Sequence, residues 1–589
     1  MTLTTRWGRE LDRSAPLPEY PRPQLVRDSY LNLNGEWDYA ITAESLTRPP
    51  LWDGTILVPF SPETPLSGVG RMLLPSEALW YRRTVGLPDG FRRHRVIVHF
   101  GAVDQRCDVF VNEVLVGSHR GGYLPFSIDI TDAVEGSEFE IVVRVTDLTD
   151  TASESRGKQV SAPGGIWYTP QSGIWQTVWL ESVPEQHVTD LRIDTDVVSG
   201  SVTLTVGGAP GHGEARILAA GTEVARVRVT TGEPTRVSLP DARLWSPADP
   251  FLYDLEVTLG DDEVTSYFGV RAITRESDSA GVQRLLLNGE PLLHAGLLDQ
   301  GYWPDGLYTA PSDEALRWDI EFALSAGFTM VRKHIKIEPA RWYYHCDRLG
   351  MLVWQDMVNG GQRYSPVVIT TPVALPLRLS DRHYGWFARG DQDDRVQFLT
   401  ELEETIAHLR PFPSIVTWVP FNEGWGQFDA LDVERRTREL DPTRLVDHAS
   451  GWHDQGGGDF RSLHVYFRRF RVRRRWRRDG RALALTEFGG YSLPVTGHRS
   501  TSREFGYRRY RTGADFWRAL RRLWIEELEP AVAGPLVAFV YTQLSDVEDE
   551  VNGLVTYDRE VVKIPVEDLR DLNHRLIRLH NAATEGTPV

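Results

Sequence analysis

Cysteine is nearly absent. Cys107 and Cys346 are the only two in 589 residues, too few for a disulfide framework and without the spacing of a zinc site, so redox and zinc chemistry are set aside. Positive charge is also scarce. With 65 Lys and Arg against 82 Asp and Glu the net charge is −17, which argues against nucleic acid as a partner because a phosphate backbone calls for a basic face. Long apolar stretches are missing too. No run reaches the roughly 18 residues that would span a bilayer, and Met1–Glu10 lacks the apolar centre of a signal peptide. No membrane partner is expected, and the cytoplasm is the expected compartment.

What the chain does have supports full cores: 41% of its residues are hydrophobic, over a length that implies two or three domains. Up to about residue 184, short alternating stretches such as Arg95–Phe100 and Cys107–Val111 are broken by Gly, Pro and Asp, with Asn112-Glu113 and Gly121-Gly122 as turn sites. This punctuation predicts a jelly-roll β-sandwich over 1–184. Residues 185–275 repeat the style in a smaller unit, with Val202–Val206 and Leu252–Val257 as strands of an immunoglobulin-like sandwich.

From 276 to 589 strands alternate with amphipathic helices, the pattern of parallel strands joined by helical crossovers. Eight strands are predicted: Leu292–Gly296, Phe328–Arg332, Met351–Trp354, Ile415–Val419, Leu445–Asp447, Ser462–Tyr466, Ala482–Thr486 and Leu536–Tyr541. Their number and spacing fit a (β/α)8 TIM barrel. Two carboxylates then stand at strand tips. Glu423, in Trp418-Val-Pro-Phe-Asn-Glu-Gly-Trp425, follows the fourth strand, and Glu487, in Leu483-Ala-Leu-Thr-Glu487, ends the seventh. Those strands face each other across the ring, so the two acids can meet about 5 Å apart, where one attacks an anomeric carbon and the other protonates the leaving oxygen. Composition and spacing do not say which is which.

These two motifs resemble glycoside hydrolase family 2, the family of β-galactosidases, β-glucuronidases and β-mannosidases. The order jelly roll, immunoglobulin-like sandwich, barrel is similar too, as are Tyr30–Trp37, Leu79–Arg83, Ser172–Leu180 and Leu244–Tyr253. The resemblance implies that Glu423 is the acid/base and Glu487 the nucleophile. Around them, Asn422 is a candidate for a sugar 2-hydroxyl, Arg332 for holding Glu487 ionised, His464 and Tyr466 for steadying it, and Tyr541 for an aromatic floor. Trp425 and Trp452 are candidates for stacking on a sugar face, and Asp299 for binding sugar hydroxyls or forming a turn.

Three departures from the family pattern bear on specificity. Relatives often read Arg-x-Ser-His-Tyr-Pro after the second strand, whereas this chain has Arg332-Lys-His-Ile-Lys-Ile-Glu-Pro339, leaving His334, Lys336 or neither for the histidine's role. The Asn-x-Lys by which β-glucuronidases neutralise a substrate carboxylate is replaced by Glu550-Val-Asn552, which places neutral sugars ahead of uronic acids. A run of eight arginines, Arg468–Arg478, follows the sixth strand; a solvated face is its plain reading, an anionic aglycone site or partner surface the sharper one. The expectation is an exo-acting retaining glycosidase for a terminal neutral sugar, β-galactosidase-like first. β-Glucuronide, β-mannoside and arabino- or galactofuranoside specificities, and a non-catalytic carbohydrate-binding role, stand behind it. The mechanism requires no cofactor, a loop-bound Mg²⁺ being left open, and pairing of jelly-roll faces in relatives makes a homo-oligomer the other partnership to consider.

Overall fold

The computed structural model describes residues 3–375, 377–474, 476 and 479–584; Arg475, Arg477 and Arg478 of the arginine run lie outside them. The first sandwich packs a four-stranded sheet (Tyr30–Asn32, Arg95–Phe100, Phe126–Asp129, Val178–Val183) on a six-stranded one that includes Glu77–Gly86 and Glu138–Thr146. Its inward residues alternate along the strands, as in Phe139, Ile141, Val143 and Val145, and form one buried cluster. Asn112 and Glu113 both take positive φ, 47° and 69°, the geometry of a two-residue hairpin whose twist suits its flanking strands. The second sandwich packs three strands on four around Val202, Leu204 and Val206, together with Ile217, Leu255 and Val257.

All eight barrel strands form where the alternation places them, with ends shifted by at most three residues. They are β1 (His294–Asp299), β2 (Met330–Lys333), β3 (Leu352–Asp356), β4 (Ile415–Val419), β5 (Leu445–Val446), β6 (Phe460–Val465), β7 (Ala482–Gly489) and β8 (Leu536–Thr542). The sheet runs β5-β4-β3-β2-β1-β8-β7-β6, parallel throughout. Ser312 caps the helix Asp313–Ser325 by accepting from Ala315 N–H at 3.1 Å, satisfying one of the donors that a helix start leaves free.

An unpredicted antiparallel sheet, Ile273–Ser277 with Gln283–Leu287 and Glu290–Pro291, seals one end of the barrel. Ile273, Leu285 and Leu287 join Leu298, Met330, Trp354 and Val540 in a single buried cluster. Each such side chain contributes roughly 1.5–3 kcal/mol by leaving water, so the closed end is apolar and rigid. Polar groups therefore collect at the other end. No helix among the described residues is long and apolar enough to cross a membrane.

Asp347 pins the second sandwich to the barrel. Its carboxylate accepts from Tyr267 Oη and from Ser414 N–H, each at 2.8 Å, and its carbonyl accepts from Trp245 Nε1 at 2.7 Å. Burial pushes its pKa up to about 7, above the unfolded value. The protonated form is therefore the one folding favours, and stability falls as pH rises through that range. Asp347→Asn leaves no charge to bury: its Oδ1 accepts from Ser414 N–H, and its Nδ2 donates to Tyr267 Oη in place of accepting from it. Its thermal midpoint is expected to exceed the wild type's at pH 8, by a difference worth up to about 4 kcal/mol, and to converge on it towards pH 4; a gap that does not depend on pH would refute this.

Candidate active site

The barrel mouth is organised around Arg332, which β2 aims inward in register with Met330, and which is fully buried. Its Nε and Nη2 clasp Asp356 on β3 at 2.9 and 3.0 Å, Nη2 also donates to Asn422 Oδ1 at 2.8 Å, and Nη1 donates to Thr486 O and Glu487 Oε1 at 3.2 and 3.3 Å. One guanidinium thus ties four strands together. A planar fork of five donors is suited to this task in a way an ammonium is not.

Glu487 reaches the mouth through an irregularity. Along β7, Leu483 and Leu485 face the helices, and strict alternation would send Glu487 the same way. The register instead shifts between Leu485 and Phe488 against β8, and His464 of β6 pairs with Glu487 rather than Thr486. That bulge makes Thr486 the extra residue and turns Glu487 inward. Glu423 is aimed by a different device, a positive φ of 50° just beyond β4, held by its N–H donating to Ser450 O at 3.0 Å. Gly424 and Gly426 follow with φ of 76° and 65°; a Cβ on Gly426 would lie 2.2 Å from Gly360 O. The turn admits no larger residue there.

A carboxylate oxygen from each glutamate and a ring nitrogen of His464 all lie within 4.8 Å of one another. His464 Nδ1 is 2.7 Å from Glu423 Oε1 and 3.5 Å from Glu487 Oε2, and Tyr466 Oη donates to Glu487 Oε2. Burial and the neighbouring Glu487 charge raise the pKa of Glu423, against the pull of His464 and Lys158. Burial also opposes the ionisation of Glu487, but His464, Arg332 and the Tyr466 hydroxyl outweigh it and hold its pKa below the usual range. The pKa values of the two acids are thus pushed apart, that of Glu423 upward and that of Glu487 downward. His464 is itself held from its far side: its Nε2 lies 3.2 Å from Ser450 Oγ, which donates onward to Thr486 Oγ1 at 2.9 Å.

Three family models match in sequence order: "Glycosyl hydrolases family 2, sugar binding domain" over 73–184, "Glycosyl hydrolases family 2" over 186–271, and "Glycosyl hydrolases family 2, TIM barrel domain" over 282–473. The chain belongs to glycoside hydrolase family 2. Among curated family members it is 24% identical to a beta-galactosidase of Thermoanaerobacter pseudethanolicus over 62% of this chain and 47% of that one. It is 26% identical to a beta-glucuronidase of Paenibacillus borealis, over 47% of this chain and 50% of the relative. The chain spans about half the length of these curated relatives. The solved structure of a beta-D-glucuronidase from Dictyoglomus thermophilum superposes with a TM-score of 0.71 at 18% identity, covering 95% of this chain and 98% of that chain, which establishes a shared family 2 fold.

Of the remaining sequence candidates, most converge on this mouth. Asn422 is buried, and its Nδ2 has no protein partner among the described residues, a donor left for a ligand. His334, not Lys336, faces the site. The His334 Nδ1 lies 2.9 Å from Asp356 Oδ2 and its ring 6.2 Å from Trp425, and burial with Lys158 nearby lowers its pKa so that the ring is neutral. Lys336 points away, donating to Gly301 O, Tyr308 O and Glu338. Trp425 is buried against Trp167 at 5.1 Å, while half-buried Trp452 sets its ring 6.1 Å from that of His464.

One assignment is corrected, and of the two readings open for Asp299 the turn is the one formed. Tyr541 is no aromatic floor: outward parity on β8 packs it between Phe488 and Trp524, 5.7 and 5.5 Å away, in the layer between strands and helices. Asp299 is not available to a sugar. Its Oδ2 accepts from Lys333 Nζ at 2.6 Å and its Oδ1 from Gly301 N–H at 2.9 Å, and Lys333 in turn lies over the Trp342 ring; the pair belongs to the strand–helix layer.

Sequence reasoning missed the groups that the first sandwich delivers. Its loop docks by Arg156 and Gly157 N–H donating to Asn359 O, each at 3.0 Å, and Tyr168 Oη donates to Glu550. This carries Lys158 into the mouth, 3.8 Å from Glu550 Oε2 and 5.8 Å from the Trp425 ring centre. One signal was legible: Lys158, Lys333, Lys336 and Lys563 are the only lysines in the chain, and all four are buried. Tyr507 was missed as well, stacked on Tyr466 at 3.7 Å. Because the Tyr466 hydroxyl favours the charged form of Glu487, Tyr466→Phe should raise the Glu487 pKa. Difference infrared titration against Glu487→Gln reads that carboxylate directly, and an unmoved titration would remove Tyr466 from the account.

Proposed function

We propose that this chain is an exo-acting retaining glycosidase that releases a terminal neutral sugar, β-galactoside first, by double displacement. The observation that carries this is the opposed environment of two carboxylates whose oxygens approach within 4.8 Å, the separation of retaining rather than inverting enzymes. Glu487, ionised, attacks the anomeric carbon as Glu423 gives its proton to the leaving oxygen. Glu423, now a carboxylate, takes a proton from water, which attacks the same carbon and frees Glu487. Asn422 Nδ2 is placed to donate to the 2-hydroxyl, a contact that strengthens as oxocarbenium charge develops. The sequence of steps is complete with side chains alone.

Charge supports a neutral glycone. Lys158 stands against the Glu550 carboxylate, so the cation is already compensated, and a uronate would add a negative group to a mouth that holds Glu487, Glu550 and Asp356. A β-glucuronide is the second reading, favoured by the presence of Lys158 and by relatives that carry that name. On a panel of nitrophenyl glycosides, the β-galactoside is expected to give the highest kcat/KM, with Glu487→Ala reducing it to background. Glu423→Ala should cost about 10²–10⁴-fold on substrates with poor leaving groups and far less on activated ones. Saturable sugar binding without turnover would point to a binding protein, and inversion at the anomeric carbon by NMR would reject the covalent route.

The pH profile follows from the two shifts. Protonation of Glu487 ends nucleophilic attack on the acid side, below the ordinary carboxylate range because its pKa is lowered. Loss of the Glu423 proton ends leaving-group protonation on the alkaline side, above that range because its pKa is raised. A bell-shaped kcat/KM is expected, and Glu423→Ala should remove only its alkaline limb; loss of the acid limb instead would exchange the two roles.

A further inference from the structure

The mouth continues past His464 and Trp452 into an open cleft of roughly 980 Å³. Seven arginines line it against two aspartates, in a protein whose net charge is −17. The aspartates are already used: Asp454 and Asp479 are held by Arg461 and Arg481, with Arg481 Nη2 2.8 Å from Asp454 Oδ2 and Arg461 Nη1 2.7 Å from Asp479 Oδ2. Arg469 is taken by Glu526 at 2.5 Å. Arg378, Arg468, Arg471 and Arg473 remain exposed, and among the described residues no carboxylate lies within ion-pair distance of them. An acidic protein that gathers uncompensated guanidinium groups on one wall raises the local concentration of anions there.

The position of this wall decides what it serves. His464 is shared, since it hydrogen-bonds Glu423 through Nδ1 and also lines the cleft. Glu423 is the group that meets the leaving oxygen, so whatever extends from that oxygen past His464 runs along Trp452 towards Arg468. Trp452 offers a ring for a sugar or aryl face, and beyond it the guanidinium forks match the oxygens of sulfate, phosphate or carboxylate.

We propose that this cleft is the leaving-group subsite and that it selects aglycones bearing a fixed negative charge. The proposal rests on the glycosidase reading. It differs from that reading in placing the anion on the departing half of the substrate, with the retained sugar neutral.

The test compares pairs of aryl glycosides with one glycone and matched leaving-group pKa, one aglycone neutral and the other carrying a remote sulfate, phosphate or carboxylate. The anionic member is expected to have at least about 10-fold the kcat/KM of the neutral one at low ionic strength. That ratio should fall towards one in about 0.5 M salt and in Arg468→Gln/Arg471→Gln/Arg473→Gln. The three anions rank the chemistry. A ratio near one in the wild type, or a ratio that the triple variant leaves unchanged, overturns the proposal. If no glycoside is turned over, calorimetry of the full chain with a sulfated disaccharide still reads the cleft: salt-sensitive binding lost in the triple variant supports it and absence of binding rejects it. Tighter binding of a single-stranded oligonucleotide than of that disaccharide also rejects it, in favour of a nucleic-acid surface.

Discussion

A single buried guanidinium sets the geometry on which the rest of the mouth depends. Arg332 has no exposed surface, so its charge is tolerable only while every N–H finds an oxygen, and the oxygens it finds belong to β3, the turn after β4, and β7. Removing any one partner would leave a buried donor unmade, at a penalty of about 1–3 kcal/mol. The same contacts that satisfy Arg332 therefore fix where Asn422 and Glu487 stand. Stability and site geometry are one requirement here.

The fold was open to reading because its signals are periodic. Alternation in Phe139–Val145 and the eight apolar runs of the barrel correspond to cores that form where parity predicts. What escaped reading were the breaks in period. Parity on β7 points Glu487 at the helices, and only the bulge at Thr486 reverses it; nothing in Leu-Thr-Glu-Phe distinguishes a regular strand from a bulged one. Parity on β8 does hold, and it is why Tyr541 falls outside the site. The Gln283–Leu287 plug was hidden for another reason. It is a short hairpin whose partner surface, the barrel end, is assembled from strands scattered over some 250 residues of chain.

Contacts between domains were the least legible. Lys158, Trp167 and Tyr168 sit in a stretch that reads as a loop of the first sandwich, and their destination depends on Asn359, Trp425 and Glu550, far away in sequence. Gly157 shows how tight that docking is: with φ of 62°, a Cβ there would meet Tyr308 Oη at 2.8 Å. The barrel thus holds both carboxylates of the mouth, but the electrostatic field around them is completed by another domain. The sandwich is part of the site, as well as part of the scaffold.

That field explains why the pKa values of two glutamates of nearly equal burial shift in opposite directions. Glu423 is 7% exposed and Glu487 4%, so desolvation alone would raise both and favour neither. The asymmetry comes from hydrogen-bond direction and from where cations can stand. Glu487 receives an N–H from Arg332 and an O–H from Tyr466, donors that reward a negative charge. Glu423 has no guanidinium partner among the described residues, and there burial and the charge of Glu487 outweigh the pull of His464 and Lys158. Since two carboxylates this close resist joint ionisation, the cationic and hydroxyl partners of Glu487 favour its charge, and that charge raises the pKa of Glu423 in turn.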